Sequence, residues 1–321
     1  MNTKGKIFSF LLVVVLLMVS VPASVLGQDD MPQMPSRDEV SLEGAKFVVG
    51  SKDFSEQIIL AYITMGVLEY YGAKTEDKSN IVGSVNTRTA LTSGEIDMYW
   101  EYTGTGWITY LQETTPIPDP VEQYEAVAER DLEENGIVWL DPAPFNNTYA
   151  MAIRREKGEE LGVTKLSDLS ALAESDPDEV TFCIESEFST RDDGMPGMLA
   201  AYEIDIPEKN IIMMDTGIIY TETDKGTCNF GEVFATDGRI AALDLVVLED
   251  DKNFFPVYNP ALTLRAETLE EYPVLADLFA PIAAALTNEE MQALNALVDV
   301  DGEDPEDVAM EWLVAMGFIE E

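Results

Sequence analysis

Residues 94–107, Gly-Glu-Ile-Asp-Met-Tyr-Trp-Glu-Tyr-Thr-Gly-Thr-Gly-Trp, constrain the fold more than any other stretch of the chain. Ile96, Met98 and Trp100 alternate with polar or aromatic neighbours, which is the two-residue period of a short strand. That strand runs into Tyr102-Thr103-Gly104-Thr105-Gly106, where glycines permit a sharp turn and leave backbone amides open. Trp107, Ile108 and Leu111 then resume helical spacing. A strand ending in a ring, hydroxyls and open amides ahead of a helix is where open α/β sheets bind ligands.

The rest of the chain repeats this alternation of strand and helix. Residues 46–50 read as a strand, and Ile58, Ile59, Tyr62, Ile63 and Leu68 form the apolar stripe of a helix that Gly72 closes. Asp53 and Glu56 have the spacing of a capping box at its start. Further strands are expected at 81–82, 137–140, 180–184, 211–214, 228–234 and 243–248, with helices at 86–91, 121–135 and 216–223 between them. The segments 141–153 and 249–258, rich in Pro, Asn and aromatics, read as crossings between two lobes. Beyond 269 the spacing is helical, over 269–272, 274–286, 289–298 and 307–316. The pattern predicts two α/β lobes around a cleft, residues 46–147 with 257–321 forming one and 148–256 the other.

The N-terminus carries Lys4 and Lys6 ahead of an unbroken apolar run over 7–19, with small residues at Ala23 and Gly27. This is the pattern of a secretory signal, with cleavage expected after Gly27. No cysteine lies near either site, so a lipid anchor on an N-terminal Cys is excluded, and an uncleaved anchor is the alternative. Residues 28–45 are polar and aperiodic and read as a flexible leader. The protein is therefore expected outside the cytoplasm, free or tethered at its N-terminus. Asn146-Asn147-Thr148 matches a glycosylation acceptor, a pattern common by chance.

The formal charge is −42, from 61 acidic and 19 basic residues, and losing Lys4 and Lys6 deepens it by two. The acids are spread along the whole chain, so nucleic acid, which needs a basic footprint, is excluded as a partner. At ~1 M salt the Debye length is about 3 Å and such repulsion is screened, which predicts a halophilic exterior. The chain has no histidine, which removes imidazole triads, imidazole zinc sites and the usual neutral-pH base. Ser189, Asp192 and Asp237 are what remains for an exported enzyme, without a metal motif or a nucleophile elbow to support them. No catalytic residue, metal or cofactor is expected. Cys183 and Cys228 lie in strands of the same lobe, and either a disulfide or two buried thiols suits an exported chain.

Several motifs, taken in order, resemble one family. They are Gly-Ser-Lys-Asp-Phe at 50–54 with Glu56-Gln57, Gly-Glu-Ile-Asp through Tyr-Thr-Gly-Thr at 94–105, and Asn-Thr-Tyr-Ala at 147–150. Thr-Asp-Gly-Arg at 236–239, Leu-Glu-Asp-Asp-Lys at 248–252 and Phe-Pro-Val-Tyr at 255–258 complete the set. From Phe47 to Ile319 the chain resembles the binding proteins of osmoprotectant ABC importers, which capture glycine betaine, choline, carnitine and related compounds. The resemblance implies a two-lobed periplasmic-binding-protein fold of type II, acting as a monomer with a membrane permease as partner. It implies a cage of rings from Tyr102, Tyr149 and Tyr258, with Phe234 where the family usually has tyrosine. It also implies a carboxylate-holding side formed by Lys52, Thr105 and Arg191. The physics points the same way, because a trimethylammonium has no N–H to donate and is recognised by ring faces, at roughly 0.5–2 kcal/mol each. Two alternatives stand beside this reading: a ligand sensor instead of a transport component, and a two-lobed protein for another small amine or amino acid. A primary ammonium is normally held by carboxylates.

Overall fold

The computed structural model describes residues 33–320. The expected signal, and the leader as far as residue 32, lie outside the described residues. From residue 33 the leader is docked rather than free. Tyr71 Oη donates to the Pro35 carbonyl at 2.5 Å, the Leu42 amide donates to the Tyr71 carbonyl at 2.7 Å, and the Leu42 side chain is buried.

Ten strands form two five-stranded sheets. The first sheet holds β1 (Lys46–Lys52), β2 (Lys74–Ile81), β3 (Met98–Tyr102), β4 (Ile137–Pro142) and, from late in the chain, β10 (Pro260–Arg265). The second holds β5 (Tyr149–Arg154), β6 (Phe182–Ile184), β7 (Ile211–Met213), β8 (Phe230–Phe234) and β9 (Leu245–Val247). Their orders are β2-β1-β3-β10-β4 and β7-β6-β8-β5-β9. Each sheet has a parallel trio, and each takes one antiparallel strand between its third strand and its outer edge. That antiparallel strand is in both cases the first one laid down after the chain arrives from the other sheet. The chain leaves the first sheet after β4, enters the second through β5, leaves it after β9, and returns through β10. This double crossover is the two-lobed arrangement that the alternation predicts.

Two strands depart from the sequence reading. β2 is eight residues long and mostly polar, because it is an edge strand held by its register against β1 (Lys46 opposite Lys74, Gly50 opposite Lys78) rather than by an apolar face. β10, buried between β3 and β4, has no counterpart among the expected strands. The capping box also fails. Helix Ser55–Tyr70 begins after Phe54 with no side-chain cap, Asp53 accepts from the Gly83 amide at 3.3 Å, and Glu56 turns into the interior.

The first lobe's core gathers Leu91, Ile96, Tyr99, Val127, Ile137 and Trp139 between β3, β4 and the helices Ser84–Ser93 and Pro120–Asn135. In the second lobe Cys183 and Cys228 are joined by a disulfide, with Cα atoms 5.8 Å apart, beside Ile219. Among the described residues no helix is long and apolar enough to cross a membrane.

Candidate ligand-binding site

The strand ends at the two crossings converge on one cavity of about 270 Å³. Five rings line it: Phe54 just after β1, Tyr102 ending β3, Tyr149 opening β5, Phe234 ending β8, and Tyr258 just before β10. Register explains part of this convergence, since Tyr149 pairs directly with Phe234 across β5 and β8, and Pro260 pairs with Tyr102. The rings form a connected wall. Phe54 lies nearly parallel to Phe234 at 5.2 Å and to Tyr102 at 6.2 Å, while Tyr149 meets Phe234 and Tyr258 at 5.4 Å. Gly104 makes room for one of them, because a Cβ there would sit 2.6 Å from the Tyr258 ring.

Two of the phenols are anchored by carboxylates. Tyr102 Oη donates to Glu56 at 2.7 Å, and Tyr258 Oη donates to Asp193 at 2.5 Å. Burial, reinforced by those carboxylates, pushes both phenols well above their ordinary range, so the rings stay neutral. Such a wall presents negative ring faces, which attract a cation.

Charged groups also line the cavity: Lys52, Glu185 and Glu187, together with Asp53 and Asp215. Lys52 lines the cavity, but its ammonium is 2.7 Å from Glu101, itself buried and accepting from Tyr99 and Tyr110. The same ammonium lies 5.1 Å from the Tyr102 ring centroid. Thr105 lines the cavity beside it. Glu187, from the second lobe, accepts from the Ser84 amide of the first lobe at 3.0 Å. Burial opposes its charge, but Lys52, Arg191 and that amide outweigh burial and hold its carboxyl down at about 2. Glu185 accepts from the amides of Glu187 and Phe188, yet burial pushes it up to about 7.

Arg191, expected on the carboxylate-holding side, is paired with neighbouring carboxylates. Its guanidinium grips Asp193 with two bonds of 2.7 and 2.6 Å and Glu187 with a third of 2.8 Å, and it is absent from the cavity wall. In a chain so rich in acids, two nearby carboxylates claim the fork. It touches the site indirectly, 5.6 Å from the Tyr149 ring centroid and through Asp193 to Tyr258. Lys52, Tyr102, Thr105, Tyr149, Phe234 and Tyr258 do come together in one cavity. Phe54 and Asn147 also line it. Phe54 was legible, since it follows β1 by two residues; Asn147 gives no sequence signal beyond its place in the crossing.

Ser189 and Asp237 are each engaged by other groups. Ser189 donates to the Ser186 carbonyl at the surface, and Asp237 is clamped by Arg239. Among the described residues no group of three or more acidic or sulfur ligands is arranged to hold a metal ion.

A two-lobed fold with a ringed cavity at its crossings is that of a periplasmic-type solute-binding protein. Residues 45–315 match the family described as the substrate binding domain of ABC-type glycine betaine transport systems, and the chain belongs to that family. It is 38% identical over 270 residues to a glycine-betaine-binding protein of Pseudomonas aeruginosa, covering 83% of this chain and 86% of that protein. It is similar to apo YehZ from Escherichia coli, with 33% identity, a TM-score of 0.63, and coverage of 86% of this chain and all of that one. It is also similar to a solved glycine betaine/carnitine/choline ABC transporter structure, at 26% identity and a TM-score of 0.68, covering 85% and 99% of the two chains.

Proposed function

We propose that the protein captures a quaternary ammonium osmoprotectant outside the cytoplasm and delivers it to an ABC importer, without catalysing a reaction. The observation that carries this reading is the wall of five rings around a single cavity at the crossings. In it Phe54, Tyr102, Tyr149, Phe234 and Tyr258 surround the trimethylammonium, while Lys52 and Thr105 face the ligand's other end. A nitrogen methylated three times offers no N–H, so ring faces hold it without a hydrogen bond to the cationic end. The lobes that close on the ligand are residues 46–147 with 257–321, and residues 148–256. Membership in the glycine betaine transport family supports the reading, as does a size of cavity suited to a small solute. The protein acts as a monomer, and the acidic exterior suits a saline environment.

Calorimetric titration in molar salt with glycine betaine, proline betaine, carnitine and choline, and with glycine as the primary-amine control, tests it. Saturable heat is expected for at least one quaternary amine and none for glycine. Binding of glycine alone would overturn the reading.

A further inference from the structure

The sequence Thr236-Asp237-Gly238-Arg239 touches no part of the ringed cavity directly, although Phe234 precedes it by two residues. Each of its four residues is nevertheless committed, and three of them meet the first lobe. Thr236 Oγ1 donates to Glu56 at 2.5 Å, and its carbonyl accepts from Asn295 Nδ2 at 3.0 Å. Gly238 lies so close to helix Asn288–Asp299 that a Cβ would sit 2.7 Å from Ala296 Cα, so only glycine fits without displacing that helix. Asp237 holds Arg239, which reaches Asp299 at 3.5 Å. Asp299 in turn accepts from Ser55, the residue before Glu56.

Glu56 is the centre of this contact. Its carboxylate is buried and takes four donors: Tyr102 Oη at 2.7 Å and Asn147 Nδ2 at 2.8 Å on Oε1, then Thr236 Oγ1 at 2.5 Å and Asn295 Nδ2 at 3.0 Å on Oε2. The donors come from β3, the first crossing, the second lobe's turn and the helix Asn288–Asp299. A carboxylate has about four lone-pair sites, so all its accepting capacity is used. One oxygen thus fixes a cage ring and the crossing, while the other fixes the second lobe.

We propose that Glu56 is a positioning residue that ties the cage ring Tyr102 to the Thr-Asp-Gly turn of the second lobe, so that ring placement and lobe placement are set together. This rests on the reading of the ring wall as a quaternary ammonium cage. Tyr102 and Thr236 do not bond to each other, and the Glu56 carboxylate accepts from both, so it offers a direct route for an energetic link between their hydroxyls. A ligand pressing on the Tyr102 ring then acts on the second lobe through one rigid group, which is a differential contact of the kind that shifts a two-state lobe equilibrium.

The test is a double-mutant cycle with Tyr102→Phe and Thr236→Val, each removing one hydroxyl while keeping the side chain's shape. It is read both as choline affinity and as the denaturant midpoint of the ligand-free protein. Each single change is expected to weaken choline binding on the order of tenfold, as for a lost hydrogen bond to a charged group. The double change is expected to fall well short of the product of the two, and Thr236→Ser to restore parent affinity. Effects that multiply independently in both readouts, or a Thr236→Val that binds choline like the parent, would overturn the link. If the parent binds no quaternary amine, the cage reading fails while the unfolding cycle still decides whether Glu56 couples the two hydroxyls.

Discussion

Replacing Arg191 by alanine separates what the resemblance implies from what the structure places. If Arg191 clamped a ligand carboxylate, its loss would weaken glycine betaine far more than choline, because charge-assisted bonds are about twice as strong as neutral ones. In the structure the guanidinium instead makes three bonds to Asp193 and Glu187, and Asp193 is itself buried and holds Tyr258. Removing it strands a buried carboxylate, and breaking a buried pair by deleting one partner costs ~3–5 kcal/mol. At roughly 2–4 °C per kcal/mol for a chain of this size, the melting temperature should fall on the order of 10 °C. Tyr258 loses the orientation of its anchor and Tyr149 loses the cation beside its ring, so both ligands should weaken alike, on the order of 3–10-fold. Calorimetry with both ligands, well below the variant's melting temperature, reads the ratio. A loss of betaine affinity tens of times larger than the loss for choline would refute this reasoning and put Arg191 on the ligand.

Three other outcomes follow from the surface, the acids and the disulfide. With a formal charge of −42 the melting temperature should rise steadily from dilute to molar KCl, and a flat or falling curve would remove screening as the explanation. Glu185 is pushed up to about 7 by burial, so its contribution to stability is present below pH ~4.5 and lost as pH rises through about 7, and burial raises Glu232 in the same direction. In molar salt the melting temperature should therefore be higher at pH 5 than at pH 8, since Glu187, shifted the opposite way, acts only below that window; a lower value at pH 5 would contradict it. The Cys183–Cys228 bridge closes a loop of 45 residues, so the Cys183→Ala, Cys228→Ala pair should lose about 4 kcal/mol on the chain-entropy estimate, read by denaturant titration; no change in the midpoint would contradict a formed bridge.

Legibility in the sequence followed how local each determinant is. β3 and the helices that Gly94 and Gly136 close with left-handed residues are written in consecutive residues and lie where the periodicity puts them, whereas the sharp turn expected at 102–106 is instead helical from Thr103 through Tyr110. β10 was illegible because Pro-Ala-Leu-Thr-Leu-Arg is short, starts with proline and has no neighbour in sequence to pair with; its partners lie some 160 and 120 residues earlier. Glu56 looked like a local cap, but donors 46, 91, 180 and 239 residues away drew it inward. The ring positions were legible through the family's motifs, whereas Arg191's pairing depends on carboxylates two and four residues away whose direction no motif specifies.

The central claim is that ring faces hold a cation in this cavity, and the most direct measurement compares choline with its neutral carbon isostere, 3,3-dimethyl-1-butanol. The two have nearly the same shape and the same hydroxyl, and differ in the positive charge. Three or more rings at roughly 0.5–2 kcal/mol each predict that choline binds on the order of 100-fold more tightly in molar salt, where long-range attraction to the acidic surface is screened. Equal affinities for the two would show that the rings supply only apolar contact, and would contradict the account.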